Sequence, residues 1–315
     1  MATPYHRLAR ETPDHRWWRL PLAALVIGAA YLGLTLVLVV GAAVWFAVSD
    51  AGHDLGDWLD AAGELDLQRL DFFVLDMLGL VVLIPAVLLG VLATGPRPVG
   101  YLSSVTGRLR WRWLGRATVV ATAVSVVTIG GSLLLTEVTD PADVAAPSAV
   151  DSHVVLALVA VLALVPFQAA AEEYVFRGLL TQGFGSIGTN LRVARVVAVV
   201  GPAVIFAAFH GAQSVPIFID RFAFGIVAGV LAITTGGLEA GIAYHVVNNW
   251  LAFVLAVLFG DVSDAVSPQG GNGWDVVVSI LKSFLLLGLT LLAARAMKIQ
   301  TVAETTVLSP AHGRV

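Results

Sequence analysis

The sequence contains no cysteine and few charged residues, and each shortage restricts what the chain can be. Without cysteine there is no disulfide, thiolate zinc ligand, iron–sulfur ligand or cysteine nucleophile. Charged residues make up 13% of the 315 residues, whereas 58% are hydrophobic, and a water-soluble chain carries roughly twice that charged fraction. The net charge of -4 offers no general basis for binding nucleic acid, so no nucleic-acid partner is expected. The composition therefore excludes an ordinary soluble domain and predicts a membrane protein.

Apolar runs of about twenty residues recur along the chain, each long enough to cross a hydrocarbon core of ~30 Å. They predict eight spans, at 20–49, 71–94, 117–136, 153–182, 193–210, 216–234, 239–260 and 275–296. We predict an all-α, polytopic membrane helical bundle with a single transmembrane domain over 20–296. Polar, proline-containing segments at 1–19 and 297–315 are predicted to be loosely ordered cytoplasmic tails.

Lysine and arginine are unevenly divided between alternate loops. Fifteen of the 18 lie within 1–19, 95–116, 177–195 and 295–315, whereas the opposite loops hold only Arg69. The positive-inside rule then places both termini in the cytoplasm. We predict a multi-pass protein of a prokaryotic cell membrane. The basic aromatic run 107–113 is predicted to anchor the bundle at the cytoplasmic interface.

Two adjacent glutamates follow a long apolar run in the fourth span. An unpaired charge at membrane depth costs several kcal/mol, about 3 on insertion scales, so such residues serve pairing, transport or chemistry. On a helix, Glu173 and Arg177 are four residues apart and can form an ion pair. Glu172 points about 100° away from Glu173 and is free to face another partner. The two carboxylates are therefore expected to have different roles.

Two further clusters supply imidazole and amide groups. Phe206 and His210 lie near the end of the fifth span, and His245 and Asn249 share one face of the seventh. If spans four and five are antiparallel, Glu172 and His210 lie at similar heights. The carboxylate would then accept a proton from water, an imidazole would orient the water or bind a metal, and the amide would donate to a developing oxyanion. This predicts hydrolysis of an acyl bond; the alternative is that these residues only hold helices together.

The three clusters, in this order, resemble the motifs of the CPBP intramembrane proteases, also called the Abi family, which include the type II CaaX prenyl endopeptidases. The family motifs are EExxxR, FxxxH and HxxxN or HxxxD. Here they read Glu172-Glu173-x-x-x-Arg177, Phe206-x-x-x-His210 and His245-x-x-x-Asn249. The resemblance covers about residues 153–260.

The resemblance implies a helical intramembrane endopeptidase that cuts a membrane-associated or hydrophobic peptide or protein. It implies that Glu172 activates water, that His210 and His245 position the water or ligate a metal, and that Asn249 stabilises the oxyanion. The residues that it implies as supporting are Glu173, Arg177 and Phe206.

The same resemblance leaves the cofactor open. Glu172, His210 and His245 would be a usable zinc ligand set, but they lack the HExxH spacing. Zinc is the divalent metal expected, with a metal-free glutamate mechanism as the alternative, and no organic cofactor is expected.

Two other function classes remain as alternatives. A proton-coupled transporter would also place ionisable residues within its spans, but it predicts paired halves, and no internal duplication is visible. A non-catalytic immunity or scaffold protein would bind a peptide with the same residues without cutting it.

Some charged residues in the spans lie outside the three motifs. Asp220 and Arg221 are predicted to snorkel or to pair locally near the outer face, or else to line a cavity. Asp76 is predicted to bond to a neighbouring helix, and Lys282 to snorkel outward on its long stem.

Overall fold

The structure, a computed structural model, describes residues 2–11, 15–49, 55–64, 69–94, 98–139, 150–211, 213–260 and 273–304. Its helices in chain order are α1 (Arg19–Ser49), α2 (Leu55–Glu64), α3 (Leu70–Val81), α4 (Leu83–Thr94), α5 (Trp111–Thr139), α6 (Ser152–Glu173), α7 (Thr181–Gly185), α8 (Leu191–Ala208), α9 (Val215–Thr235), α10 (Glu239–Phe259) and α11 (Gly273–Ala296). A π-helix, Tyr174–Leu180, joins α6 to α7, and short 3₁₀ helices occupy Tyr5–Glu11 and Val99–Leu102. Two short strands, β1 (Ala2–Pro4) and β2 (Val302–Glu304), pair antiparallel.

Within these ranges, eight helical stretches are long and apolar enough to cross a membrane. They correspond one to one with the predicted spans, so the polytopic helical bundle is confirmed. The second span is made by α3 and α4, which are separated at Val82. The fourth is the longest, because α6, the π-helix and α7 run on together as the 34 residues Ser152–Gly185. Leucine and valine side chains cover much of the outer surface, as a lipid-facing bundle requires.

The first and last described segments of the chain meet at one end of the bundle, where β1 pairs with β2. The prediction of loosely ordered tails is wrong for the described parts of these ends. Tyr5 and Leu8 are fully buried, and Arg7 and Arg10 donate hydrogen bonds to backbone carbonyls at the end of α7. Carbonyls at a helix C-terminus lack intrahelical partners and carry partial negative charge, so they attract these guanidinium groups.

The start of α10 is held to the start of α5 by an ion pair. Arg110 Nε and Nη2 donate to the two carboxylate oxygens of Glu239, at 2.8 and 2.7 Å. The predicted interface role suits Trp111, which is 71% exposed, but it is wrong for Trp113, which is 1% exposed and packs in the core. Residues two apart on a helix point about 200° away from each other, so Trp111 and Trp113 lie on opposite sides of α5.

Close helix contacts fix the relative positions of α8 and α9. A Cβ on Gly225 would lie 2.9 Å from Ala203, and one on Gly229 would lie 3.2 Å from Val199. The small-xxx-small spacing of these two glycines lets the backbones approach. Together with α6 and α10, these helices surround the motif residues.

Candidate active site

Glu172 and Glu173 lie at the junction of α6 with the π-helix. Glu173 has a side chain that is 0% exposed, whereas that of Glu172 is 12% exposed and faces a cavity. Short π-helical segments interrupt the regular α-helical register and are frequent at functional sites. The two carboxylates therefore have different surroundings, as helix geometry predicted.

Glu173 connects the first motif to the third. Its Oε1 accepts hydrogen bonds from Arg177 Nη1 at 2.8 Å and from His245 Nδ1 at 3.0 Å. The predicted Glu173–Arg177 ion pair is thus confirmed. Because a carboxylate only accepts, Nδ1 of His245 carries the hydrogen. The other ring nitrogen, Nε2, then bears a lone pair when the imidazole is neutral.

That lone pair faces the second carboxylate. His245 Nε2 lies 3.8 Å from Glu172 Oε2. This separation is too long for a direct hydrogen bond and suits a bridging water molecule. The two groups that the sequence assigned to water activation therefore face each other across a gap of the required size.

Gln168 is a site residue that sequence reasoning missed. Its Nε2 donates to Glu172 Oε1 at 2.6 Å, and its Oε1 accepts a hydrogen bond from Asn249 Nδ2 at 3.1 Å. Asn249 therefore reaches the glutamate through Gln168. The signal was present in the sequence, since Gln168 lies one helical turn before Glu172 on the same face.

The second motif packs against both of the others. Phe206 has its ring centroid 4.7 Å from that of His210 and 5.9 Å from that of His245, and the Arg177 guanidinium lies 4.4 Å from its ring centroid. His210 Nδ1 is 2.8 Å from the Phe206 carbonyl. Because a carbonyl only accepts, this nitrogen carries the hydrogen and leaves Nε2 available. Phe206 thus supports both imidazoles and the arginine.

A cavity of about 810 Å³ brings the predicted catalytic residues together. Its lining includes Glu172, His210, His245 and Asn249. The volume is within the range of ligand-binding sites, ~300–1,000 Å³. The arrangement can therefore hold water and a peptide segment against a carboxylate and two imidazoles.

Other charged residues also reach this cavity. Asp76, Asp220 and Arg221 line it, so cavity lining is the correct alternative for Asp220 and Arg221. The prediction that Lys282 snorkels outward is wrong: its Nζ donates to Asn248 Oδ1 at 2.9 Å. An ammonium that finds an acceptor inside the bundle does not need to reach the membrane surface.

The predicted zinc ligands, Glu172, His210 and His245, all line this cavity. In the described ranges, no group of three or more His, Asp or Glu side chains is arranged to hold a metal ion. His245 Nδ1 donates to Glu173, which leaves Nε2 as the ring nitrogen that could ligate a metal. The described side chains as they stand do not form an assembled zinc site, and zinc stays a prediction.

Comparison with known proteins agrees with the motifs. Residues 154–251 match the family described as type II CAAX prenyl endopeptidase Rce1-like. The resemblance to the CPBP family is thereby confirmed for the segment that carries all three motifs, and at the level of the family it supports a CAAX-type intramembrane protease.

A relative among the curated proteins is the uncharacterized protein YyaK of Bacillus subtilis (strain 168). The two are 28% identical over 151 residues, which cover 44% of this chain and 49% of that protein. The chain thus spans about half the length of the curated relative that it matches. No solved structure matches the chain.

Proposed function

We propose that the protein is an intramembrane endopeptidase that hydrolyses a peptide bond in a membrane-associated or hydrophobic peptide or protein. The observation that carries the proposal is the 3.8 Å gap between Glu172 Oε2 and His245 Nε2 on the wall of one cavity. The family match of 154–251 supports the reaction class. The relative from Bacillus subtilis favours a prokaryotic cell membrane as the location.

A water molecule in this gap has both of its hydrogens engaged. One is donated to Glu172 Oε2 and the other to His245 Nε2, because both atoms are acceptors. The lone pairs of the water oxygen then face the cavity and a peptide carbonyl. As the oxygen attacks the carbonyl carbon, Glu172 takes a proton from it, and the same carboxyl gives that proton to the leaving nitrogen when the C–N bond breaks.

Glu173 and Arg177 support the imidazole from behind. The hydrogen bond from His245 Nδ1 to Glu173 fixes the ring, so that Nε2 points towards the water. Arg177 neutralises the buried Glu173 carboxylate through the 2.8 Å ion pair. The water-activating histidine is thus held by a buried, paired acid.

The remaining two residues act on the substrate. Asn249 uses one Nδ2 hydrogen on Gln168, and the second is left to donate to the oxyanion. Since both hydrogens of the water are taken, His210 Nε2 is left to accept the amide hydrogen of the substrate. These two contacts orient the carbonyl towards the water.

The test is turnover of a fluorogenic membrane peptide by the purified, reconstituted protein. Glu172→Gln and His245→Ala should each lower kcat by about 10³-fold or more. The matched control is Glu239→Gln, which removes a different buried glutamate and should keep kcat per folded molecule. Retention of most activity by Glu172→Gln would remove its proposed role.

Related measurements on the same protein separate the alternatives. A non-catalytic peptide binder would hold the peptide in the wild-type protein without cutting it. A proton-coupled transporter would accumulate a solute in vesicles when a pH gradient is applied. In cells, membranes with the Glu172→Ala protein should accumulate uncut precursors of the substrate.

A further inference from the structure

A chain of four polar side chains runs from α11 to the carboxylate of Glu172. Lys282 Nζ donates to Asn248 Oδ1 at 2.9 Å, and Asn248 Nδ2 donates to Asn249 Oδ1 at 3.5 Å, the longest link. Asn249 Nδ2 donates to Gln168 Oε1 at 3.1 Å, and Gln168 Nε2 donates to Glu172 Oε1 at 2.6 Å. The chain connects three helices, α11, α10 and α6.

The chemistry of the two ends sets the direction of the whole chain. A lysine ammonium only donates, so Asn248 must turn its oxygen towards Lys282. A carboxylate only accepts, so Gln168 must turn its NH₂ towards Glu172. The amides between them then have one orientation in which every link joins a donor to an acceptor. Both ends favour the same orientation, so Lys282 reinforces the orientation of side chains that it does not touch.

Lys282 reaches the site from outside the segment that matches the family. It lies on α11, whereas the matched residues are 154–251. An ammonium group within a span is costly unless it is paired. Here it has the Asn248 oxygen as hydrogen-bond partner and interacts electrostatically with Asp220 on α9.

Gln168, at the end of this series of hydrogen bonds, determines which oxygen of Glu172 is free. Gln168, which is 4% exposed, holds Oε1. Oε2 is then the oxygen that faces His245 Nε2 at 3.8 Å. If the Gln168 amide turned over, it would present its oxygen to the carboxylate, and the repulsion would move Glu172 from this position.

We propose that Lys282, acting through Asn248, Asn249 and Gln168, is a positioning residue that holds Glu172 with one oxygen turned to the attacking water. The catalytic consequence rests on the proposed protease function, whereas the structural coupling of Lys282 to Glu172 does not. Two kinds of measurement therefore test it.

The first measurement is steady-state turnover of the membrane peptide. Lys282→Met keeps the length of the side chain without the donor and should lower kcat about tenfold with KM within about twofold, because small misplacements of a catalytic group are costly. Lys282→Arg restores a donor and should recover most of kcat. The control is Ser283→Ala. It removes the hydrogen bond between Ser283 on α11 and Tyr244 on α10 and should leave kcat unchanged.

A double-variant cycle distinguishes a connected chain from separate structural effects. Gln168→Met should lower kcat about tenfold or more, and Lys282→Met combined with Gln168→Met should be no worse than Gln168→Met alone. If the losses of the two single variants multiply, the two residues act independently and the proposal is wrong.

The second measurement does not depend on turnover. Dicyclohexylcarbodiimide labels carboxyl groups in apolar surroundings, and mass spectrometry locates the label. Glu172 should be labelled several-fold faster in Lys282→Met than in the wild-type protein or in Ser283→Ala, because Gln168 is no longer held in the one orientation that donates to its carboxylate. The buried Glu173 serves as the internal reference.

The outcomes are distinguishable. If the wild-type protein cuts no peptide but Lys282→Met changes the labelling of Glu172, the positioning chain stands and the protease proposal fails. If the wild-type protein cuts the peptide and Lys282→Met changes neither kcat nor labelling, the positioning role of Lys282 is overturned and the protease proposal stands. Unchanged labelling with no turnover would overturn both.

Discussion

Glu173 on α6 and His245 on α10 are joined by a hydrogen bond of 3.0 Å between two side chains that are almost completely buried. The same glutamate oxygen also holds Arg177. One carboxylate therefore fixes the ring nitrogen that faces away from the cavity and balances the charge of a buried guanidinium. Glu173 thus orients the imidazole that faces the attacking water, together with the ring of Phe206 that packs against it.

Substitution of Glu173 tests this dependence. Glu173→Gln keeps the shape of the side chain but removes the charge that orients and stabilises His245, so kcat should fall by about 10²- to 10⁴-fold with little change in KM. Leaving Arg177 buried without its partner should also cost about 3–5 kcal/mol of folding stability. Steady-state kinetics and thermal unfolding measure the two effects separately.

The control for this variant is Glu239→Gln. Glu239 is equally buried and is paired with Arg110, so its loss should lower stability without a selective loss of kcat. If both variants lose kcat in proportion to folded protein, Glu173 has a structural role only.

Gly241 provides a test by added bulk. A Cβ at this position would lie 2.7 Å from Glu173 Oε2, so Gly241→Ala must displace the carboxylate or its helix. We expect kcat to fall about tenfold or more, since the His245 contact is displaced with it. Gly288→Ala is the matched control: nothing lies within 4 Å of its added carbon, and alanine in a helix is expected to stabilise by about 0.5–1 kcal/mol. Equal kinetics for the two variants would contradict the close contact.

Chelation separates the two ways of activating water. The mechanism derived from Glu172 and His245 uses no metal, so turnover should persist after treatment with phenanthroline and extensive dialysis. The zinc prediction instead requires loss of activity that added zinc restores, together with about one zinc ion per chain in the purified protein. Metal analysis by mass spectrometry gives the stoichiometry independently of activity.

His6 gives the ordered N-terminal segment a defined pH dependence. Burial, with the charges of Arg195 and Arg7 adding to it, lowers the pKa of His6 to about 4. The unfolded chain binds a proton near pH 6.5, so between these values it holds more protons than the folded state, and stability falls as the pH falls. At about pH 5 the loss should be roughly 1–2 kcal/mol relative to pH 7.5.

The measurement is the difference in thermal unfolding between the wild-type protein and His6→Gln at the two pH values. Because glutamine does not titrate, the wild-type Tm should fall more on acidification than that of the variant. Parallel curves would show that the protonation of His6 is not linked to folding.

Much of the fold and part of the site could be predicted from the sequence. The eight spans follow from the length and composition of the apolar runs, which depend on local sequence alone. The ion pair of Glu173 with Arg177 follows from a spacing of four residues on one helix. The three motifs also identified the helices that carry the candidate site.

Contacts between distant segments were harder to predict. Lys282 was expected at the membrane surface, because its long stem allows this, but the position of α11 places an acceptor beside it. Arg7 and Arg10 were expected in a loose tail, but they find carbonyls at the end of a helix more than 170 residues away. In both cases the partner belongs to an element that the local pattern does not include.

The sequence by itself determined which segments cross the membrane and which polar side chains had to be satisfied there, because hydrophobicity and the cost of buried charge act residue by residue. Only the tertiary structure decided that Glu173 holds His245 and that Gln168 holds Glu172. Those choices depend on the rotation and approach of α6 and α10, which are set by the packing of the whole bundle and not by the period of any one helix.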